Sequence, residues 1–114
     1  MTSEIARLEL HSAFQRKEAA KDLQVGEARR ALAAYDSDVS RGLISVRAMG
    51  PAVVAKFETI IERCCRRSPI LPLRTLDAIH LSTAVDAEES EVVATDKRLR
   101  EAALALGFIV YPTP

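Results

Sequence analysis

Tryptophan is absent from the 114 residues, and aromatic side chains make up only 4% of them. A core built on stacked rings is therefore excluded, and Leu, Ile, Val and Ala must supply most of the packing. No run approaches the roughly 18–20 apolar residues that a membrane span requires. Met1-Thr2-Ser3-Glu4 lacks the basic start and apolar stretch of a secretory leader, so a cytoplasmic protein with no membrane partner is expected. There are two cysteines, Cys64 and Cys65, adjacent in sequence. Neighbours are poorly placed to bond to each other and lack CxxC spacing, which leaves packing as their expected role. No GxGxxG, P-loop, HExxH or nucleophile-elbow pattern occurs. Formal net charge is zero. It is unevenly spread: residues 1–67 carry 12 Lys and Arg against 9 Asp and Glu, and residues 68–114 carry 4 against 7.

The hydrophobic content of 48% is ordinary for a globular protein, and the length suits a single domain spanning residues 1–114. Ile5, Leu8 and the Ser12–Ala13 step share one side of a helical wheel, which predicts a helix over 4–20 with Ser3 as N-cap. Ala28, Ala31, Leu32, Tyr35 and Val39 give a second stripe, ended near Gly42. Residues 43–46 form a short β-prone run stopped by Gly50-Pro51. Val53, Val54, Phe57, Ile60, Ile61, Cys64 and Cys65 then repeat at the helical period. Arg63, Arg66 and Arg67 stand at that helix's negative C-terminal end. Further on, Thr75 is placed to cap a helix through Ala84, residues 91–95 read as a strand, and a helix through Leu106 stops at Gly107. Residues 108–111 form a last strand before Pro112. Helices alternating with short strands, with no hairpin signal between them, predict an α/β fold with a parallel sheet flanked by helices.

Three acidic residues stand apart from the solvent-facing charges. Glu9 interrupts the first helix between Leu8 and Leu10, Asp77 opens an otherwise apolar helix, and Asp96 sits where a strand passes into a helix. Ligands of parallel α/β sheets gather at the carboxyl ends of strands, where the following helices begin. Carboxylates converging there repel one another unless a cation lies between them, and Mg²⁺ suits such an oxygen-rich site. Against this stands a simpler role: an aspartate at a helix start is more often a cap. His80 is expected to pack or hydrogen-bond rather than act as a base, and His11 to lie at the surface.

Leu73-Arg74-Thr75-Leu76-Asp77-Ala78-Ile79-His80-Leu81-Ser82-Thr83-Ala84 resembles the LRTLDALHLATA segment of VapC-like PIN-domain toxins. Val92-Val93-Ala94-Thr95-Asp96-Lys97-Arg98-Leu99 is similar to that family's closing strand and acidic turn, and Thr2–Leu10 to an earlier segment with Glu9 in the acidic position. The resemblance implies a PIN-like three-layer fold and a metal-dependent endoribonuclease that hydrolyses RNA phosphodiester bonds. It also implies a toxin neutralised by a small antitoxin. Glu9, Asp77 and Asp96 would then be the catalytic ligands of Mg²⁺ or Mn²⁺; Arg74 and Thr95 are candidate RNA contacts, although an arginine at a helix start is more often solvated. Two departures are visible. Ala94 stands where the family often has Ser or Thr, and the family's first strand with its aspartate has no counterpart here, so an N-terminally truncated fold is expected. Without that strand, unpaired edges and an uncovered slot would remain, which predicts a homo-oligomer and weakened cleavage. The alternative is a catalytically impaired PIN-like module that still binds an antitoxin-like partner.

Overall fold

The strongest apolar stripe in the sequence forms the helix around which the larger core is built. In the computed structural model, which describes residues 1–113, this helix runs over Pro51–Arg66. Gly50 is its N-cap residue and Pro51 enters its first turn, where a missing N–H costs no helical hydrogen bond. Val53, Ile60 and Cys64 lie on its buried face. In chain order the elements are β1 (Thr2–Ser3), α1 (Ile5–Ala19), α2 (Glu27–Ser40) and β2 (Val46–Arg47). They continue with α3 (Pro51–Arg66), α4 (Thr75–Asp86), β3 (Glu91–Val93), α5 (Lys97–Ala105) and β4 (Ile109–Tyr111). The chain divides into two units, Met1–Ala48 and Met49–Pro114.

In the first unit α1 packs against α2, and β1 pairs in parallel with β2, Thr2 opposite Val46 and Ser3 opposite Arg47. No residue of α1 is fully buried. Its half-buried line runs through Ile5, Ala6, Glu9, Leu10, Ala13 and Phe14, while Leu8 is 63% exposed. The expected stripe through Leu8 and Ser12 is thus turned outward, and Glu9 joins the inner line instead. The expected Ser3 cap is also corrected: Ser3 is a buried strand residue, and the N-cap position is Glu4, which makes no side-chain cap bond. Polar contacts join the two helices. Arg7 donates from Nε and Nη2 to the two oxygens of Asp36, both at 2.8 Å. Glu18 Oε1 accepts from the amides of Gly26 at 2.9 Å and Ala28 at 3.1 Å, so a carboxylate of α1 caps the positive end of α2. The chain enters α2 through Gly26 at φ 90°, a left-handed conformation that glycine adopts freely.

The second unit holds the main core. Ile60 and Cys64 from α3, Leu81 and Ala84 from α4, Ala102 and Ala103 from α5, and Phe108 and Val110 around β4 form one buried cluster. Helix α3 packs on α4 and α5 packs on β4. Small residues carry much of this packing: Ala78 and Ala103 are entirely buried, which lets neighbouring backbones approach closely. Ser82 and Thr83 are buried on α4 as well, their hydroxyls donating to the carbonyls of Ala78 and Ile79, so neither polar group is stranded. Strands β3 and β4 pair in parallel, Glu91 with Ile109 through Val93 with Tyr111, and α5 is the crossover between them. Gly107, at φ 93°, reverses the chain at the end of α5, as glycine after a helix commonly does.

The mixed α/β character with parallel strands agrees with expectation. The strands, however, form two two-stranded pieces, β1–β2 and β3–β4. None exceeds three residues, so each ladder is brief. Among the described residues, no helix is long and apolar enough to cross a membrane.

Candidate functional site at the carboxyl end of β3

Strand β3 ends at Val93, and Ala94 and Thr95 lead directly into α5. Ala94 extends the pairing by one bond, its amide donating to the Tyr111 carbonyl at 2.9 Å. The chain then turns at Asp96, the N-cap of α5 in extended conformation, whose Oδ2 accepts from the Leu99 amide at 3.0 Å. Asp96 therefore does what a helix-start aspartate usually does. It also stands at the carboxyl end of a parallel strand and at a helix N-terminus, where a negative charge is favoured. Capping engages one of its two oxygens, and an ionised carboxylate has acceptor capacity beyond a single bond. Both Thr95 and Asp96 are exposed.

One residue of this corner escaped the sequence reading. Arg100, one turn into α5, reaches back with Nη1 to the Ala94 carbonyl and with Nη2 to the Pro112 carbonyl, each at 2.7 Å. A single guanidinium thus ties together the chain leaving β3 and the chain leaving β4. It also sets a positive charge at the carboxyl end of the strand pair. The only sequence signal for this role is its spacing of four residues from Asp96. The oxygens it binds belong to the backbone and leave no mark in the residue string.

Asp77 occupies the first turn of α4, as expected, and is half-buried. Unlike Asp96, it does not follow a strand: residues 67–74 are irregular, and the helix begins from an extended Arg74. The expected Thr75 cap is corrected here. Thr75 is already helical, and the N-cap position is Arg74, whose side chain makes no cap bond. Arg74 is exposed. His80, on the same helix, is half-buried, and His11 is exposed. Glu9 lies in the first unit, in the inner line of α1, and Asp77 and Asp96 lie in the second.

Among the described residues, no group of three or more His, Cys, Asp or Glu side chains is gathered to hold a metal ion. The donor chemistry of Asp77 and Asp96 nevertheless suits a hard cation, because Mg²⁺ commonly takes one or two carboxylates and completes its shell with water. The other ionisable group of note in this unit is the Cys64 thiol. Burial pushes its pKa up, and Cys65 adds to this, while Arg63 and Arg67 pull the other way. Cys64 is therefore a packing residue, and Cys65 is exposed. No protein-family model, curated protein or solved structure matches this chain.

Proposed function

We propose that this chain is a metal-dependent endoribonuclease of the PIN type, a toxin that cleaves RNA and is neutralised by a small antitoxin protein. The observation that carries this reading is the place of Asp96, between a parallel strand and the helix that follows it, within a segment resembling that family's closing acidic turn. Asp77, in the first turn of α4, lends support from the more specific of the resembling motifs. Asp77 and Asp96 would hold Mg²⁺ or Mn²⁺, with Glu9 as a third carboxylate. When bound, such an ion offsets phosphate charge and makes a bound water more acidic. The chain's own groups have separate tasks. Arg100 fixes the corner that presents Asp96, and exposed Arg74 and Thr95 are available to RNA oxygens. A PIN-like three-layer fold, a cytoplasmic setting and self-association belong to the same proposal.

A second reading, a PIN-like protein-binding module with impaired catalysis, is favoured by one observation. Val93 is 79% exposed and Ile109 51% exposed, and with Tyr111 they share one face of the β3–β4 pair. Parallel strands are ordinarily covered on both faces, so a partner protein such as an antitoxin would find an apolar surface there.

The test is cleavage of single-stranded RNA by purified chain in Mg²⁺ or Mn²⁺, with and without EDTA. The ribonuclease reading expects EDTA-sensitive cleavage that is lost in Asp77→Asn and Asp96→Asn while both variants remain folded. Cleavage that persists in both variants would remove these carboxylates from the chemistry. No cleavage by the parent chain would leave the binding module as the better account.

A further inference from the structure

A cavity of about 250 Å³ lies at the C-terminal end of α3, wholly within the second unit. Arg63, Arg66 and Arg67 are among its lining residues. Leu71, Ala105 and Leu106, with the buried Cys64, supply an apolar floor. All three arginines are exposed, and together they concentrate positive charge beside one small opening. Among the described residues, none of the three is in an ion pair, although Glu62 stands one turn before Arg66.

The helix end does not account for all three. A helix C-terminus carries roughly half a negative charge, so three arginines leave an excess of about two and a half positive charges. One of the last carbonyls, that of Cys64, is moreover already used by the Leu71 amide at 3.1 Å.

The geometry points to a binding site for a single nucleotide, its phosphate held by Arg63, Arg66 and Arg67 and its base laid against Leu71, Ala105 and Leu106. A phosphate monoester brings up to two negative charges and three acceptor oxygens, which matches several guanidinium forks at once. A carboxylate side chain brings one charge and two oxygens, and would leave guanidiniums unanswered. Bare phosphate would satisfy the arginines and leave the floor wet. The volume lies just below the roughly 300–1,000 Å³ of small-molecule sites, the scale of one nucleotide rather than a longer ligand. This site is independent of the proposed metal chemistry, since none of Glu9, Asp77 and Asp96 lines the cavity.

The test is titration of ¹⁵N-labelled full chain with uridine 5′-monophosphate, in EDTA throughout so that divalent metal plays no part. Saturable shifts are expected in the amides of Cys64, Leu71, Ala105 and Leu106. The paired substitution Arg66→Gln with Arg67→Gln should weaken binding roughly tenfold or more, the scale of a lost charge-assisted bond. Arg29→Gln with Arg30→Gln removes the same charge from the first unit and should leave the dissociation constant unaltered. Arg66→Lys keeps charge and helix propensity, so it tests the site even if the paired variant unfolds, and it too should weaken binding through loss of the fork. Uridine and inorganic phosphate should each bind more weakly than the nucleotide. Shifts that are absent, or that map elsewhere, would overturn the site. So would equal affinity in Arg66→Lys and in the parent, or an oligoglutamate peptide that competes as strongly as the nucleotide, which would mark a surface for acidic protein.

Discussion

The two units are held by different physics. Within Met1–Ala48 the buried residues are Ser3 and Ala28 alone, and α1 and α2 are joined by the Arg7–Asp36 fork and by the Glu18 carboxylate on the amides that open α2. Within Met49–Pro114, eight buried residues from three helices and from the last strand with the residue before it form one cluster, and exposed ion pairs add little. Burial is insensitive to pH and salt, and losing it is expensive. Exposed ionic contacts are the opposite. The same kind of substitution should therefore have very different effects on the two sides of residue 48.

The largest effect is expected at Leu81, 1% exposed at the centre of the cluster. Leu81→Ala should cost about 2–5 kcal/mol, read as a lower urea midpoint with unchanged slope. A loss below ~1 kcal/mol would mean that the cluster is not close-packed and that the contrast is overstated.

In the first unit, Glu18→Ala leaves two amides at the head of α2 without their acceptor, and should cost about 1–2 kcal/mol. Hydrogen exchange at Gly26 and Ala28 should quicken in this variant more than anywhere in α3. Unchanged exchange there would show that water serves those amides equally well.

Asp96 offers a sharper cut between stability and function. Asparagine caps a helix about as well as aspartate, whereas alanine does not. Asp96→Ala should lose about 1 kcal/mol by thermal or chemical melting, and Asp96→Asn almost nothing. Both should lose Mn²⁺ binding by calorimetry if this carboxylate takes a cation. Equal destabilisation by the two substitutions would point to the charge, rather than the hydrogen bond, as what the helix end uses.

The smallest effect is expected at Asp36. Its hydrogen bonds from Arg7 hold its carboxyl below the ordinary range. A lowered folded-state pKa stabilises above the unfolded value of about 3.8 and is lost as pH falls through the folded value. Arg7 is raised by the same bond and stays protonated throughout that window. The difference in stability between the parent and Asp36→Asn should thus be present at neutral pH and vanish in strong acid. Because both groups are exposed it should be small, and added salt should shrink it further. A difference that grows on acidification would reverse the assignment.

What could be read in the sequence follows the same division. The helices of the second unit were legible because their apolar positions face a real core: Val53, Ile60 and Cys64 recur at the helical period and are buried. Helix α1 was legible as a helix but not as a surface. A shift of one residue turns a helix by about 100°, and with Leu8 and Leu10 flanking Glu9 the residue string does not say which is inward. Caps were misjudged where the entering chain decided the boundary, as at Arg74, whose extended backbone leaves Thr75 inside the helix. For the candidate site, Asp96 was legible from the change of strand to helix pattern. The Arg100 clamp was not, because its partners are carbonyls brought together by the pairing of β3 with β4.

The adjacent cysteines give the molecule an internal clock. Successive residues on a helix point about 100° apart, so Cys64 enters the core and Cys65 faces water. A thiol reagent at neutral pH therefore meets Cys65 at once and Cys64, 2% exposed at the cavity floor, far more slowly. The delay between the first and second modification measures how well that end of α3 shields its inner sulfur, with no label added to the chain.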